Sequence, residues 1–504
     1  MTAIRGLPAL AAAAYVATVA VLGSQLVRVI DWNTDISGPL ALAERLRGSG
    51  AVYLPHFGAW TIYWYLLATR WIPGHAQLWE ATGYVFTIVT ALVVGWATTR
   101  VAGRWAGVTA GAAALLVGPV TLRALMSVIY HVTNPFTAAV LGAYVVLLTR
   151  TRSWWLAVGV GLLAGANVAS DPLLWIAGIA PFAFAAAVLS RTTRSIDVAL
   201  RAGVLLGVTV VSAVITDLAM HGLGYRVVGL NLSLAPLHDL PSNALHLARI
   251  GALLGGANYA FNPGYPREPV RMLLAVLVLT AIAAPIVAAV KSLVRPARPL
   301  LRAYAAYWGA VSLLLCIVFV VTPNAAALGY PSVYYLLSLA PAAGVGIALL
   351  AARSRTSQVA VALAVAVVAA INIAAITQGR VGGEPPLAIY QRRIEQVLDR
   401  HHVRRGYAGY WDAQNLSWQT GMHLLVAPVT RCTTTQLCPY NFFTIHSWYE
   451  PRSEPTFLLL DSTNGVISGA PPFVAGATGT YHFGPLTLYL FRYDIAKHVR
   501  RAAT

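Results

Sequence analysis

The chain has 504 residues, 58% of them apolar and only 10% charged, with a mean hydropathy of +0.66. Soluble globular proteins carry about 25% charged residues, and the deficit here extends over most of the length, which excludes a soluble enzyme with a single anchor. Many of the residues behind the net charge of +18 stand in short clusters between apolar runs, a pattern that encodes membrane topology; with no Cys/His finger spacing, it argues against nucleic-acid binding.

About 20 apolar residues cross a bilayer. Spans are predicted at 7–30, 78–97, 105–123, 133–149, 154–170, 172–189, 198–217, 270–290, 303–321, 332–352 and 358–376. The first is too long for a signal-peptide core and is read as uncleaved. Arg100 and Arg104, Arg150 and Arg152, Arg191 and Arg194, then Lys291, Arg295, Arg298 and Arg302, and finally Arg353 and Arg355 make every second loop basic. The positive-inside rule puts those loops and the N-terminus in the cytoplasm and everything after 376 outside. The stretch 54–70, LPHFGAWTIYWYLLATR, has a short apolar core and many aromatic residues, and reads as interfacial or re-entrant. The expected fold class is a polytopic α-helical membrane protein with about 11 transmembrane helices, N-terminus in and C-terminus out, carrying a small C-terminal extracytoplasmic α/β domain. Such a chain sits in the cytoplasmic membrane. Lysine occurs only as Lys291 and Lys497, the composition of a GC-rich genome such as an actinobacterium's.

Three segments fall outside: a first loop at 31–77, a long loop at 218–269, and the tail from 377. In the tail, a turn at 382–386 precedes helical character over 387–402. The short apolar runs 406–411, 423–429, 456–462 and 486–494 then fit strands bounded by turn residues. Cys432 and Cys438, with five residues between them, can close a small disulfide loop in an oxidising compartment. Cys316, in an apolar span, reads as packing.

At the outer end of span one, Asp31 and Asp35 are four apart and share a face where that stretch is helical. Ser37 is expected to cap a short surface helix, with Pro39 in its first turn and Leu40, Ala43 and Leu46 as its apolar stripe. Two close carboxylates raise one pKa and supply a general base, although the same spacing suits solvated acids beside Arg28. Further candidates are Asp171 in a tight outer hairpin before Pro172, and His131 with Asn134 in YHVTNPF, both also compatible with structural capping. Arg123, Arg249, Arg267 and Arg271 are outer-side cations that can either bind phosphate or snorkel. The aromatic residues Tyr410, Trp411, Trp418, Trp448 and Tyr449 suit sugar rings or a small core. No histidine pair has convincing zinc spacing, and no phosphate-binding G-x-x-x-x-G-K loop is present.

The series Asp35, Ala43-Glu44-Arg45-Leu46, Gly48 or Gly50, Tyr53, Pro55 and Gly58, followed by an aromatic cluster directly after span one, resembles the first outer loop of the GT-C glycosyltransferases. The bacterial branch with the aminoarabinose and mannosyl transferases is the most similar. Ile36 stands where many relatives have a second acid, and Trp60–Trp64 where some carry a Lys-Pro-Pro run. The resemblance implies a transmembrane GT-C-like domain over 1–376 with an interfacial first outer loop (31–77), and an extracytoplasmic α/β domain over 377–504. It implies an inverting transferase that takes a sugar from a polyprenyl-phosphate donor to an envelope glycan or glycolipid acceptor. Asp35 would be its general base and Asp31 the second catalytic candidate; His56, Arg123, His131, Asn134, Asp171, Arg249, Arg267 and Arg271 would be candidates for donor or substrate binding. The phosphate leaving group is already acidic, so no cofactor is required; a divalent metal stays open but is not indicated. The expected partners are the lipid-linked donor, the acceptor and membrane lipids. A transporter or flippase of a lipid-linked or small polar substrate is the alternative, and a non-catalytic glycan-binding partner a third.

Overall fold

The computed structural model describes residues 17, 34–45, 51–54, 76–115, 117–118, 121–122, 125, 131, 133–227, 233–257, 268–323, 330–352, 354–377, 386–463, 467 and 469–500. The predicted span 7–30, apart from the helical Ala17, and the stretch 55–70 lie outside the described residues.

The first described element is a helix, α1 (Thr34–Arg45), followed by a short strand, β1 (Val52–Leu54). The helical bundle comprises α2 (Ala76–Ala102), α3 (Arg104–Ala114), α4 (Thr133–Leu147), α5 (Trp154–Ser170) and α6 (Ala180–Thr193). It continues with α7 (Ile196–Gly222), strand β2 (Tyr225–Val227), α8 (Leu240–Leu254), α9 (Glu268–Val294), α10 (Pro299–Val321), α11 (Leu339–Ala351) and α12 (Arg355–Thr377). Among the described residues, seven helical segments are long and apolar enough to cross a membrane, and α4 and α5 are apolar but shorter. At 1.5 Å per residue, the 27 residues of α7 reach about 40 Å.

Small residues let these helices approach. A Cβ added to Gly161 of α5 would come within 2.8 Å of the Leu205 carbonyl oxygen, and one on Gly165 within 2.4 Å of that of Thr209, so this G-x-x-x-G pair seats α5 directly on the backbone of α7. Larger side chains fill the centre of the bundle, where Tyr144, Phe182, Tyr304, Tyr307 and Trp308 are all buried. The basic turns gather at one end: Arg150 donates to the Arg100 carbonyl at 3.3 Å, and Arg201 to that of Leu148 at 2.8 Å.

Two expectations are corrected. The span at 105–123 is interrupted, because α3 stops at Ala114 and Val117 and Gly118 are not helical, whereas Thr121 and Leu122 are. Gly118 stands before Pro119, and a proline disfavours the α conformation in the residue before it and lacks an N–H to continue the helix. Backbone exposed by the break finds partners: Gly118 N donates to the Leu254 carbonyl at 2.6 Å, Asn372 Nδ2 to that of Val117 at 2.9 Å, and Thr87 Oγ1 to that of Leu125 at 2.6 Å. The long loop 218–269 also contains a helix, α8, whose Ile250, Leu253 and Leu254 join the bundle core. Its sequence, LPSNALHLARIGALL, has the helical apolar spacing that would have revealed it.

The tail opens with α13 (Pro386–Arg400), then runs β3 (Arg405–Gly409), α14 (Tyr410–Gln419), β4 (Leu425–Arg431), β5 (Leu437–Pro439), β6 (Thr444–Ile445), β7 (Thr456–Asp461), β8 (Gly479–Phe483) and β9 (Leu486–Phe491). Six of these strands form a sheet in the order β5-β4-β3-β7-β9-β8, with β3 parallel to both β4 and β7. Every residue of β3 is buried, as befits a strand covered on both faces. Alternation along β7 assigns the faces: Phe457 and Leu459 pack with Leu387, Ile394 and Leu398 of α13, while Leu458 and Leu460 point into a second cluster. The disulfide Cys432–Cys438 joins β4 to β5.

Candidate active face and the lipid-side groove

The second tail cluster is shared with the first loop. Leu40 and Leu42 of α1 and Val52 and Leu54 of β1 pack with Leu437, Phe443, Ile445 and Leu458. A three-stranded sheet sews the parts together, with β1 between β2, after α7, and β6 of the tail. Val52 pairs with Tyr225 on one side and Ile445 on the other. On α1, an added Cβ at Gly38 would come within 2.7 Å of the Phe443 ring, so glycine here sets how closely the tail seats. The basic turns lie at the opposite end of the bundle, since α7 runs from the basic loop at Arg194 to the strand β2.

Asp35 lies in α1, about one helical turn before Gly38. Thr34 is already helical, so Ser37 is inside the helix and buried rather than its cap, and Pro39 also lies within the helix. Burial of every residue from Ser37 to Leu42 overrides the local capping signal. The packing surface is therefore broader than the predicted stripe of Leu40, Ala43 and Leu46. Pro39 has no N–H to offer the Asp35 carbonyl four residues back. Asp31, His56, Arg123 and Arg267 lie outside the described residues.

Three predicted site residues converge. His131 Nδ1 lies 2.6 Å from Asp171 Oδ2, and Asn134 Nδ2 donates to the same oxygen at 2.8 Å. The Leu173 N–H donates to Asp171 Oδ1 at 3.2 Å. Asn167, which the sequence reading passed over, extends the network: its Nδ2 donates to Asn134 Oδ1 at 3.0 Å and to Thr137 Oγ1 at 3.1 Å, and its Oδ1 accepts from Thr133 at 2.7 Å. A carboxamide inside an apolar span was the available signal. His131 has φ 62°, in the left-handed region that non-glycine residues seldom occupy, and its ring lies 4.7 Å from that of Tyr335. All six polar residues from His131 to Asp171 in this network are buried. It ties the start of α4 to the α5–α6 hairpin at the end of the bundle that faces the tail.

The cations separate. Arg249 is exposed on α8, whereas Arg271 is 7% exposed near the start of α9, with Glu268 3.4 Å away. Below Arg271 runs an apolar groove of about 540 Å³ between α3, α9, α11 and α12. Its α9 wall runs from Leu277 to Lys291, and Val117 and Gly255, at the break in the third span, also border it. The outermost α9 residue of the groove is six positions from Arg271, about 9 Å along the helix. Leu274 lies between them and is fully buried with Ala252, Ala257 and Val368.

In the tail, Tyr410, Trp448 and Tyr449 are buried, and Trp411 and Trp418 partly so; this set is mostly core. Burial raises the Tyr407 and Tyr449 hydroxyls above the usual tyrosine range, and both donate, to Asp494 Oδ1 at 3.1 Å and to the Pro428 carbonyl at 2.6 Å. Among the described residues, no three His, Cys, Asp or Glu side chains gather as a metal site.

No family model and no curated protein matches the chain. Among solved structures, it is similar to ArnT from Cupriavidus metallidurans bound to undecaprenyl phosphate, with a TM-score of 0.53 and 12% identity over 94% of this chain and 97% of that one. The apo state of the same protein gives a TM-score of 0.48 at 13% identity, over 97% and 99% of the two chains. The archaeal oligosaccharyltransferase AglB from Archaeoglobus fulgidus, in complex with an inhibitory peptide and a dolichol-phosphate, gives 0.44 at 14% identity, over 94% and 74%.

Proposed function

We propose that this chain, which has the GT-C fold, is an inverting membrane glycosyltransferase. It moves a sugar from a polyprenyl-phosphate donor to an envelope glycan or glycolipid on the outer face of the cytoplasmic membrane. The observation that carries this reading is the apolar groove that ends below a buried arginine. A polyprenyl chain needs a water-free channel open to lipid, and its phosphate needs a cation where the channel meets the polar face. From Arg271 to Lys291, the end of the groove wall along α9, there are 20 helical steps, about 30 Å, close to the thickness of the hydrocarbon core. The structure that shares the fold was solved with undecaprenyl phosphate bound, which supports a donor of that class.

In this reading, the acceptor hydroxyl attacks the anomeric carbon from the side opposite the phosphate. Its proton passes to the Asp35 carboxylate as the new C–O bond forms. The bond from the anomeric carbon to the phosphate oxygen breaks, and Arg271 stabilises the charge left on the phosphate. The His131–Asp171–Asn134 network keeps the end of the bundle beneath the tail rigid, and Asp31 is the second carboxylate at the membrane face.

Purified protein incubated with a panel of polyprenyl-phosphate sugars tests the reading directly. Asp35→Asn is expected to abolish transfer while leaving thermal stability unchanged, and Arg271→Ala to raise the donor KM at least tenfold. Full transfer by Asp35→Asn would remove the base assignment. Substrate counterflow in proteoliposomes, with no transfer under any donor, would replace the transferase by a transporter.

A further inference from the structure

The seam between the first loop and the tail encloses a cavity of about 360 Å³ that takes no part in the chemistry proposed above. Tyr53, in the middle of β1, lines it together with Pro439, Tyr449 and Pro451 of the tail. Three further polar residues line it: Asn441, His446 and Glu450. Asn441 and His446 are partly buried, and Glu450 is exposed at the rim. Their backbones are held in place. His446 N donates to the Ala51 carbonyl at 3.1 Å, next to β1, and the Glu450 carbonyl accepts from Arg405 Nη2 at 2.9 Å. Their side chains, and the Tyr53 hydroxyl, make no hydrogen bond or ion pair within the protein among the described residues.

We infer that this cavity is a binding subsite for a neutral glycan, which holds the acceptor next to the loop that carries Asp35. The inference rests on the transferase reading for its role, but not for its chemistry. The lining includes two tyrosines and two prolines, residue types with apolar surface of the kind that packs against the C–H face of a sugar. An amide, an imidazole, a phenol and a carboxylate supply both donors and acceptors for hydroxyl groups. Cavities that bind small molecules begin at about 300 Å³, so this one suits one or two sugar rings. Glu450 disfavours phosphate and uronate groups by like-charge repulsion, and Tyr53, His446 and Glu450 do not make the closed ligand set of a metal.

The site also depends on assembly. Tyr53 pairs in register with Arg226 of β2 and Thr444 of β6, so one cavity wall belongs to the strand that joins α1 to the bundle. A glycan held here would lie against β1, in the same outer loop as Asp35.

The test uses the full-length protein in nanodiscs without donor, and saturation-transfer NMR with α-1,6-mannobiose, α-1,5-arabinobiose and a glucuronic-acid disaccharide as probes. At least one neutral disaccharide is expected to bind, and the uronate more weakly by fivefold or more. Asn441→Ala and Glu450→Gln should each weaken the neutral probe at least fivefold at unchanged melting temperature, while Asp35→Asn leaves it unchanged. In the transfer assay, the same two variants should raise the acceptor KM and leave kcat within twofold. Binding of no probe, or binding indifferent to both variants, overturns the subsite. An absence of transfer in the wild type with probe binding intact overturns the transferase reading alone.

Discussion

At the scale of single residues, the clearest result is the convergence of His131, Asn134 and Asp171. In the sequence, His131 with Asn134 is one candidate and Asp171 another, 40 residues apart at the extremes. Folding gives them one shared carboxylate, and Asn167 completes the set. Buried donors stripped of an acceptor cost about 1–3 kcal/mol each, and Asp171 accepts from the Asn134 amide and the Leu173 N–H and pairs with the His131 ring. Asp171→Ala is therefore expected to destabilise the purified protein by about 3 kcal/mol or more, with Asp171→Asn recovering part of that loss because it retains an acceptor. Thermal unfolding measures this, and an unchanged melting point in Asp171→Ala would show that the network carries no load. Arg271 differs from Arg249 in the same way: both are outer-side arginines by sequence, and only burial near the head of the groove distinguishes the first.

At the scale of elements, the broken third span shows how local chemistry and packing divide the work. The Gly118-Pro119 pair signals the interruption, yet a hydropathy window runs straight through it. Close contact makes the break tolerable in the membrane, because Leu254, Asn372 and Thr87 satisfy the exposed backbone. An added Cβ at Gly118 would come within 2.4 Å of Gly256 Cα, a backbone atom that cannot swing aside. Gly118→Val is thus expected to cost about 1–3 kcal/mol through overpacking and to weaken donor binding, since Val117 and Gly255 border the groove. Gly159→Ala, where no atom lies within 4 Å of the added carbon, should be neutral or slightly stabilising. Equal melting temperatures for the two variants would refute the close-contact argument. The helix α1 teaches a related lesson: the tail buries its middle, Ser37 included, which no capping rule anticipates.

At the scale of the molecule, the tail and the first loop form one face. The three-stranded sheet draws strands from residues 52–54, 225–227 and 444–445, so the loop that bears Asp35 is fixed from both sides. The basic turns lie at the other end. In the proposed orientation, with positive charge held inside, the tail lies on the extracytoplasmic face. Ser453→Cys in the tail is expected to react with a membrane-impermeant maleimide in intact cells, and Thr193→Cys in a basic turn only after permeabilisation. The native Cys432 and Cys438 are tied in a disulfide and so do not compete. The reverse labelling pattern would invert the orientation.

What the sequence determined by itself was the class of molecule and the order of its parts. Apolar runs of bilayer length, alternating arginine clusters and short strand-like runs in the tail are local signals, because solvent transfer and backbone periodicity act on neighbours along the chain. The helix within the long loop and the break in the third span were written there too, in the periodicity of 240–254 and in Gly118-Pro119, but were hidden under the broader hydropathy signal. Only the tertiary structure decided which polar residues act together. The carboxylate shared by His131 and Asn134, the groove beneath Arg271 and the cavity between Tyr53 and Glu450 each join residues far apart in sequence. Their energetics depend on burial and on distances of a few ångströms, which a linear chain does not encode locally.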